Sequence, residues 1–335
     1  MISDNRMGHV LLICPQTFSY HDSISKTLKS MGYSITWWND RAKNTTFYKC
    51  ALRMFPLLTV SWSEKFFYKK LNQIDRSSIT HVLVIKGEGI SRRCAQRLRE
   101  AFPSASMGLY LWDGIENAKG ALEISSIFDS VATFDPKDAE ELGWFYRPLF
   151  GCNISDKKEV LKERFDWCFI GTIHSDRYRV IHRLSRSCDK RLRTFIFGYF
   201  QSPFIFYFRH LIDWSLWFAP AGTLSTKPMN FPEVLEVIRS SKAVVDIEHP
   251  RQRGLTMRTI ETLLAEKKLV TTNKNIVMSN LYDPSRTYVI SRKTPEIPID
   301  FLNQPYRALP LELKDYYSCE GWAKELLQLQ DNSKK

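Results

Sequence analysis

No stretch of this 335-residue sequence runs for about 18 apolar residues without charge, which excludes a bilayer-spanning helix. The opening MISDNRMGHVLLIC also lacks the apolar centre of a secretory signal. Both absences predict a cytoplasmic chain, soluble or peripheral on the inner face of the plasma membrane. Cysteine is sparse and scattered: Cys14, Cys50, Cys94, Cys152, Cys168, Cys188 and Cys319 form no CxxC and no Cys/His zinc spacing. A disulfide scaffold is excluded, a reducing compartment is expected, and no metal site is predicted. KGEG at 86–89 completes neither a phosphate loop nor a dinucleotide fingerprint, and CPQTFSYH after the first apolar run lacks its glycines. No strand end carries an Asp-x-Asp metal clamp, and no cofactor is expected.

What is present is length, apolar content and positive charge. The chain suits two domains of about 150 residues. Its 44% hydrophobic residues can fill a core in each, and a net charge of +12 favours an anionic partner. Short apolar runs alternate with amphipathic stretches, the pattern of parallel strands covered by helices on both faces. HVLLIC (9–14), a helix from Tyr20 stopping at Gly32, and SITWW (34–38) open a Rossmann-like unit. THVLVIKG (80–87), a helix over 90–102, SMGLYLW (106–112), SVATFD (130–135) and a helix from Pro136 continue it; 41–75 is less regular around SEKFFYKKL. After polar 151–166 the pattern restarts with WCFIGT (167–172). It runs through LRTFIFG, KAVVDIE, LVTTN and TYVIS with helices between, broken by an irregular aromatic segment at 199–230. The expected domains are 1–150, 151–310 and a C-terminal helix over 311–335 crossing back to the first.

The window KAVVDIEHPRQRGLTMRTIETLLAEKKLVTTN (242–273) carries the most chemistry. A strand leads into a loop holding His249 and Gly254, and a helix then starts at Thr256 with Arg258 in its first turn and Glu261 one turn on. A helix start offers unpaired N–H groups and a positive dipole end to a diphosphate. Gly254 permits close approach, Arg258 adds charge-assisted bonds, and the Glu261 carboxylate suits two ribose hydroxyls. The plain alternative is an i,i+3 surface pair of Arg258 and Glu261.

RGLTMRTIETLLAEKKLVTTN resembles the donor motif of GT-B glycosyltransferases, in particular the spore-maturation-type (CgeB-like) branch. There a Gly-Leu-polar-Met-Arg run precedes a helical glutamate. The resemblance covers about 30 residues closely and departs at TLLAEKK, where the branch carries small residues. It implies an α/β chain of two Rossmann-like domains facing a central cleft, acceptor domain first and donor domain second. It also implies a metal-independent glycosyltransferase with a nucleotide sugar as co-substrate. Gly254, Arg258 and Glu261 would line the donor site, with His249 and Thr256 as neighbours. The acceptor implied is a bacterial surface glycan or lipid-linked precursor of lipopolysaccharide, capsule or exopolysaccharide.

In that plan the turn FIGTIHSD brings Gly171, Thr172 and His174 to the donor, with a simple strand-to-helix turn as the alternative. Ser175 and Asp176 suit a helix cap, and Arg177, Arg179, Arg183 and Arg186 suit a solvated or membrane-facing surface. Ligands bind at strand ends in open α/β sheets, which singles out Tyr20, His21 and Asp22, then Lys86 to Glu88, then Trp112 and Asp113. Glu88 and His21 are the candidate catalytic bases. The aromatic run at 202–220 suits either a headgroup-level surface, with an anionic membrane as partner, or a buried helix and loop. An epimerase, a nucleic-acid-binding protein and a non-catalytic glycan-binding protein are the competing functions. Basic residues spread through both halves, without a standard binding module, argue against nucleic acid.

Overall fold

The computed structural model describes residues 7–16, 20–43, 45, 56–152 and 161–333. Cys50, all of NISDKKEV (153–160) and the first six residues of the opening segment lie outside them. The described cysteines are buried and form no disulfide. Two compact units emerge, one of Met1–Cys152 with Ser318–Lys335 and one of Asn153–Tyr317.

In the first unit, β1 (Gly8–Ile13), β2 (Tyr33–Trp38), β3 (His81–Ile85), β4 (Ser106–Leu111), β5 (Ser130–Thr133) and β6 (Phe145–Tyr146) form one sheet. The order is β2-β1-β3-β4-β5-β6, and every pairing is parallel. β3 and β4 are buried at every position because helices cover both faces. On one side Leu11, Val82 and Val84 meet Cys94, Ala95 and Leu98 of the helix Arg92–Ala101. On the other the C-terminal helix Cys319–Ser333 packs on β4 and on the helix Tyr20–Ser30. Its fully buried Trp322 lies edge-on to Tyr110 at 5.1 Å and against Phe150 at 4.2 Å. The irregular reading of 41–75 is corrected in part: a helix runs Pro56–Leu71 and buries Phe67 and Leu71.

The second unit repeats the plan with β7 (Phe165–Thr172), β8 (Thr194–Tyr199), β9 (Leu224–Ser225), β10 (Ser241–Asp246), β11 (Lys268–Thr271) and β12 (Thr287–Val289). The order β12-β11-β10-β7-β8-β9 is again parallel throughout. Local sequence starts the helices: Asn230 and Glu233 form a capping box before Phe231–Arg239, and Ser202 with Pro203 opens Pro203–Ile212. That last helix, followed by a 3₁₀ turn at Trp214–Phe218, corrects the irregular reading of 199–230. Around NIVMSNLY only a 3₁₀ turn, Lys274–Met278, forms. The expected single C-terminal helix is two, Leu311–Tyr317 in the second unit and Cys319–Ser333 in the first.

Candidate active site

Each sheet has one point where successive connections leave in opposite directions, and strand ends beside it form a crevice suited to ligands. In the second unit that point lies between β7 and β10. Arg177 bridges the two strand ends, donating through Nε to the Ile247 carbonyl at 2.6 Å and through Nη1 to that of Thr172 at 2.8 Å. Gly171 clears its way, since a Cβ there would stand 3.2 Å from both Arg177 Nη1 and the Phe169 ring. Arg177 therefore belongs to the sheet edge, not to the solvated surface expected for it. Burial first, against Asp246 and Glu248, lowers its pKa to about 10, so it stays a cation at neutral pH.

Arg292, beyond β12, closes the other side. It meets Asp176 at 2.8 Å and Glu248 Oε1 at 2.6 Å, while Thr272 bonds the second oxygen of Glu248. The Asp176 side chain consequently makes no cap bond to Arg177–Ser187, although its carbonyl accepts from the Val180 amide at 3.1 Å. His174 and His249 face each other with ring centroids 5.6 Å apart. Burial first, then Arg177, His249, Arg209 and Arg292, depress the His174 pKa to about 3, leaving it neutral. Ser175 beside it takes a left-handed φ of 46° and accepts from Arg209.

The motif window sits on the same edge. Thr256 caps the helix Met257–Leu264, accepting from the Thr259 amide at 3.0 Å, and its own hydroxyl donates to buried Asp246. Thr259 Oγ1 donates to the same carboxylate at 2.7 Å. The Gly254 carbonyl is held by Gln252 and by Asn273, at 3.1 and 3.2 Å, which fixes the loop ahead of the helix start. Arg258 does pair with Glu261, at 2.9 Å, but Glu261 is only 3% exposed, so the surface-pair reading fails. The second unit thus places Gly171, Thr172, His174, His249, Gly254, Thr256, Arg258 and Glu261 at the end of β7 and on the elements that follow β7 and β10. Sequence reading missed Arg177, Arg292, Asp246 and Glu248.

In the first unit the reversal lies between β1 and β3. Lys86, at a left-handed φ of 70°, follows β3 and contacts Asp113 at 2.7 Å and Glu88 at 3.3 Å. Arg41 reaches Glu88 at 3.3 Å and its neighbour Asp40 at 2.8 Å. Burial raises the Asp40 pKa despite Arg41 and Lys86, whereas at Lys86 burial is outweighed by Asp113 and Glu88 and the pKa rises. Gly89 leaves no room for a side chain without a backbone shift, because a Cβ would lie 2.2 Å from the Asp40 carbonyl. His21 is buried and stacks on Trp37 at 4.5 Å, with Nε2 at 3.4 Å from Asp22. Tyr20 and Trp112 meet edge to face at 6.3 Å. Glu88 and His21, the two candidate bases, are thus in different settings: one within ion pairs, one on an aromatic floor.

No protein-family model and no curated sequence matches the chain. Solved structures do. A glycosyltransferase from Rickettsia africae ESF-5 matches over 99% of each chain, with a TM-score of 0.56 at 10% identity. OtsA in its apo form matches over 96% of this chain and 98% of its own, at 0.56 and 10%. The fold is that of the GT-B glycosyltransferases. The N-terminal domain of Candida albicans trehalose-6-phosphate phosphatase matches over 97% and 93%, with a TM-score of 0.54 at 10% identity. At such identity the likeness is one of fold, and activity has to be argued from the two sheet edges.

Proposed function

We propose that the chain is a metal-independent glycosyltransferase that takes its sugar from a nucleotide donor held by the second unit. The observation that carries this is the crevice at β7 and β10, where Arg177, Arg292 and a neutral His174 stand beside the start of the helix Met257–Leu264. Those groups suit a diphosphate: the helix start supplies N–H donors, and guanidinium groups stabilise the charge that develops on the departing phosphate. Asp246 and Glu248, the carboxylates closest to the strand end, are already bonded by Thr256, Thr259, Thr272 and Arg292. Cations and amides therefore take the role that a metal clamp plays elsewhere, and no cofactor beyond the co-substrate is needed. Glu261, one turn into the helix, is the group for the ribose, exchanging its bond to Arg258 for two hydroxyls.

The first unit takes the acceptor. Its edge combines the Tyr20 and Trp112 rings, suited to the apolar face of a sugar, with the ion-paired group of Lys86, Glu88 and Asp113. His21 is the better base for an inverting transfer, because Glu88 is claimed by two cations while His21, packed on Trp37, has among the described residues the exposed Asp22 carboxylate beside it. Glu88 then positions Lys86 and Arg41. The CgeB-like branch, and an acceptor in a bacterial surface glycan or its lipid-linked precursor, rest on the 253–273 resemblance and the +12 charge. The experiment is nucleotide release from a panel of sugar nucleotides in the presence of EDTA, with and without glycan acceptors. Release that continues in EDTA and falls sharply in His21→Ala supports the reading. Loss in EDTA restored by magnesium or manganese would remove metal independence, and no release from any donor would remove the transferase.

A further inference from the structure

The helix Pro203–Ile212 is apolar on its outer side as well as on its inner one, where Ile205 and Phe206 pack on the core. A surface helix normally turns its apolar stripe to the core, but here Pro203, Phe204, Tyr207, Phe208, Leu211 and Ile212 form the exposed side, at i, i+3, i+4 and i+7 spacing. Phe204 is 78% and Leu211 81% exposed, and no charged residue interrupts that side. Arg209 and His210 instead turn toward the protein, to the Ser175 and Phe206 carbonyls. The 3₁₀ turn prolongs the apolar surface with exposed Trp214, Trp217 and Phe218. Trp217 is held in place by its Nε1–H bond to the His210 carbonyl at 2.9 Å, so the ring is presented by a fixed backbone. The buried-helix reading of 202–220 holds for Ile205, Phe206 and Leu216, which pack on the core, and fails for the outer side.

Trp214 also lines a cavity of about 500 Å³ with His182, Arg183, Arg186, Lys293 and Glu296. Three cations against one carboxylate leave this cavity positive, and among the described residues no carboxylate pairs with any of the three. An apolar shelf flanked by a positive hollow is the arrangement of an interfacial segment: rings enter the headgroup layer, and guanidinium and ammonium groups take the lipid phosphates. No described helix is long and apolar enough to cross a membrane, so the contact is with its surface. A second copy of the chain is a poor occupant, because it would oppose its own Arg183, Arg186 and Lys293 across the contact.

We propose that residues 203–218, with Arg183, Arg186 and Lys293, dock this protein on an anionic lipid bilayer. The contact does not depend on the transfer reaction and is tested without it. The full chain is sedimented with vesicles of phosphatidylcholine alone and of phosphatidylcholine mixed with phosphatidylglycerol. It should follow the anionic vesicles, and added salt should weaken the binding. Phe204→Ser with Leu211→Ser should abolish binding while leaving the melting temperature unchanged, since both side chains are exposed. Arg183→Gln and Arg186→Gln should each weaken binding to anionic vesicles about fivefold, about 1 kcal/mol apiece, without effect on neutral ones. Wild-type protein that stays in the supernatant with both vesicles overturns the proposal. So does undiminished binding by the Phe204/Leu211 variant, or a dimer in sedimentation velocity that the same variant disrupts, which would give the shelf to a second copy.

Discussion

Removing Arg258 does two things that its position on the sequence does not separate. It takes a cation from the crevice, and it leaves the Glu261 carboxylate, 3% exposed, without the partner at 2.9 Å. Breaking a buried pair from one side costs about 3–5 kcal/mol. Arg258→Ala should therefore lower stability in chemical denaturation, while Glu261→Gln, which keeps shape and a hydrogen-bonding group, should cost less than half as much. Equal, negligible losses would return the pair to the surface. His174 gives a pH dependence. The unfolded chain binds a proton near the ordinary 6.5, but the folded chain refuses it until about pH 3, so stability falls as pH drops through that window. At about pH 5 the loss is about 2 kcal/mol. His174→Gln should flatten the melting-temperature profile between about pH 7 and 5, and an unchanged profile would deny the shift. The helix start at Thr256 was legible because its cap and first turn are written in consecutive residues. Arg177 and Arg292 were not, since their partners Ile247 and Asp176 lie 70 and 116 positions away.

Strands β1, β3, β4, β7 and β10 could be read because each is an apolar run between polar breaks, buried on both faces. Pro203–Ile212 was read only as a choice between an exposed aromatic surface and a buried helix, because it is apolar on both sides: Ile205 and Phe206 meet the core while Phe204, Tyr207, Phe208 and Leu211 point outward, and the periodicity rule assumes one apolar side. The loop after β3 is the element where backbone and site chemistry meet. Lys86 and Gly87 both take left-handed φ values, 70° and 67°, and Gly89 lies against the Asp40 carbonyl. Strain of this kind gathers at functional sites. Gly89→Ala forces a backbone shift, expected to cost about 1–3 kcal/mol and to pull Glu88 away from Arg41. Denaturant unfolding checks the first effect. Acceptor-side kinetics check the second, with KM raised more than kcat is lowered if Glu88 positions the edge. A variant of full stability would show that the loop has room the geometry denies.

Across the molecule, the two sheets share one plan, each with its charged and histidine-bearing groups gathered at the strand ends of its reversal point. The polar break after residue 150 and the restart at WCFIGT marked that duplication in the sequence. The return of Cys319–Ser333 to the first unit had no local signal beyond the family plan; it is carried by Trp322 filling the space over Tyr110 and Phe150. The central claim is that the second unit's crevice holds a nucleoside diphosphate. Titration calorimetry of the full chain with nucleoside diphosphates, repeated on folded Glu261→Gln, tests it most directly. The account predicts saturable binding of at least one nucleotide, with a matching rise in melting temperature. Binding should weaken roughly 10- to 150-fold in the variant, the equivalent of about 1.5–3 kcal/mol for a lost charged hydrogen bond. No binding by any nucleotide, or equal affinity in wild type and Glu261→Gln, would contradict it.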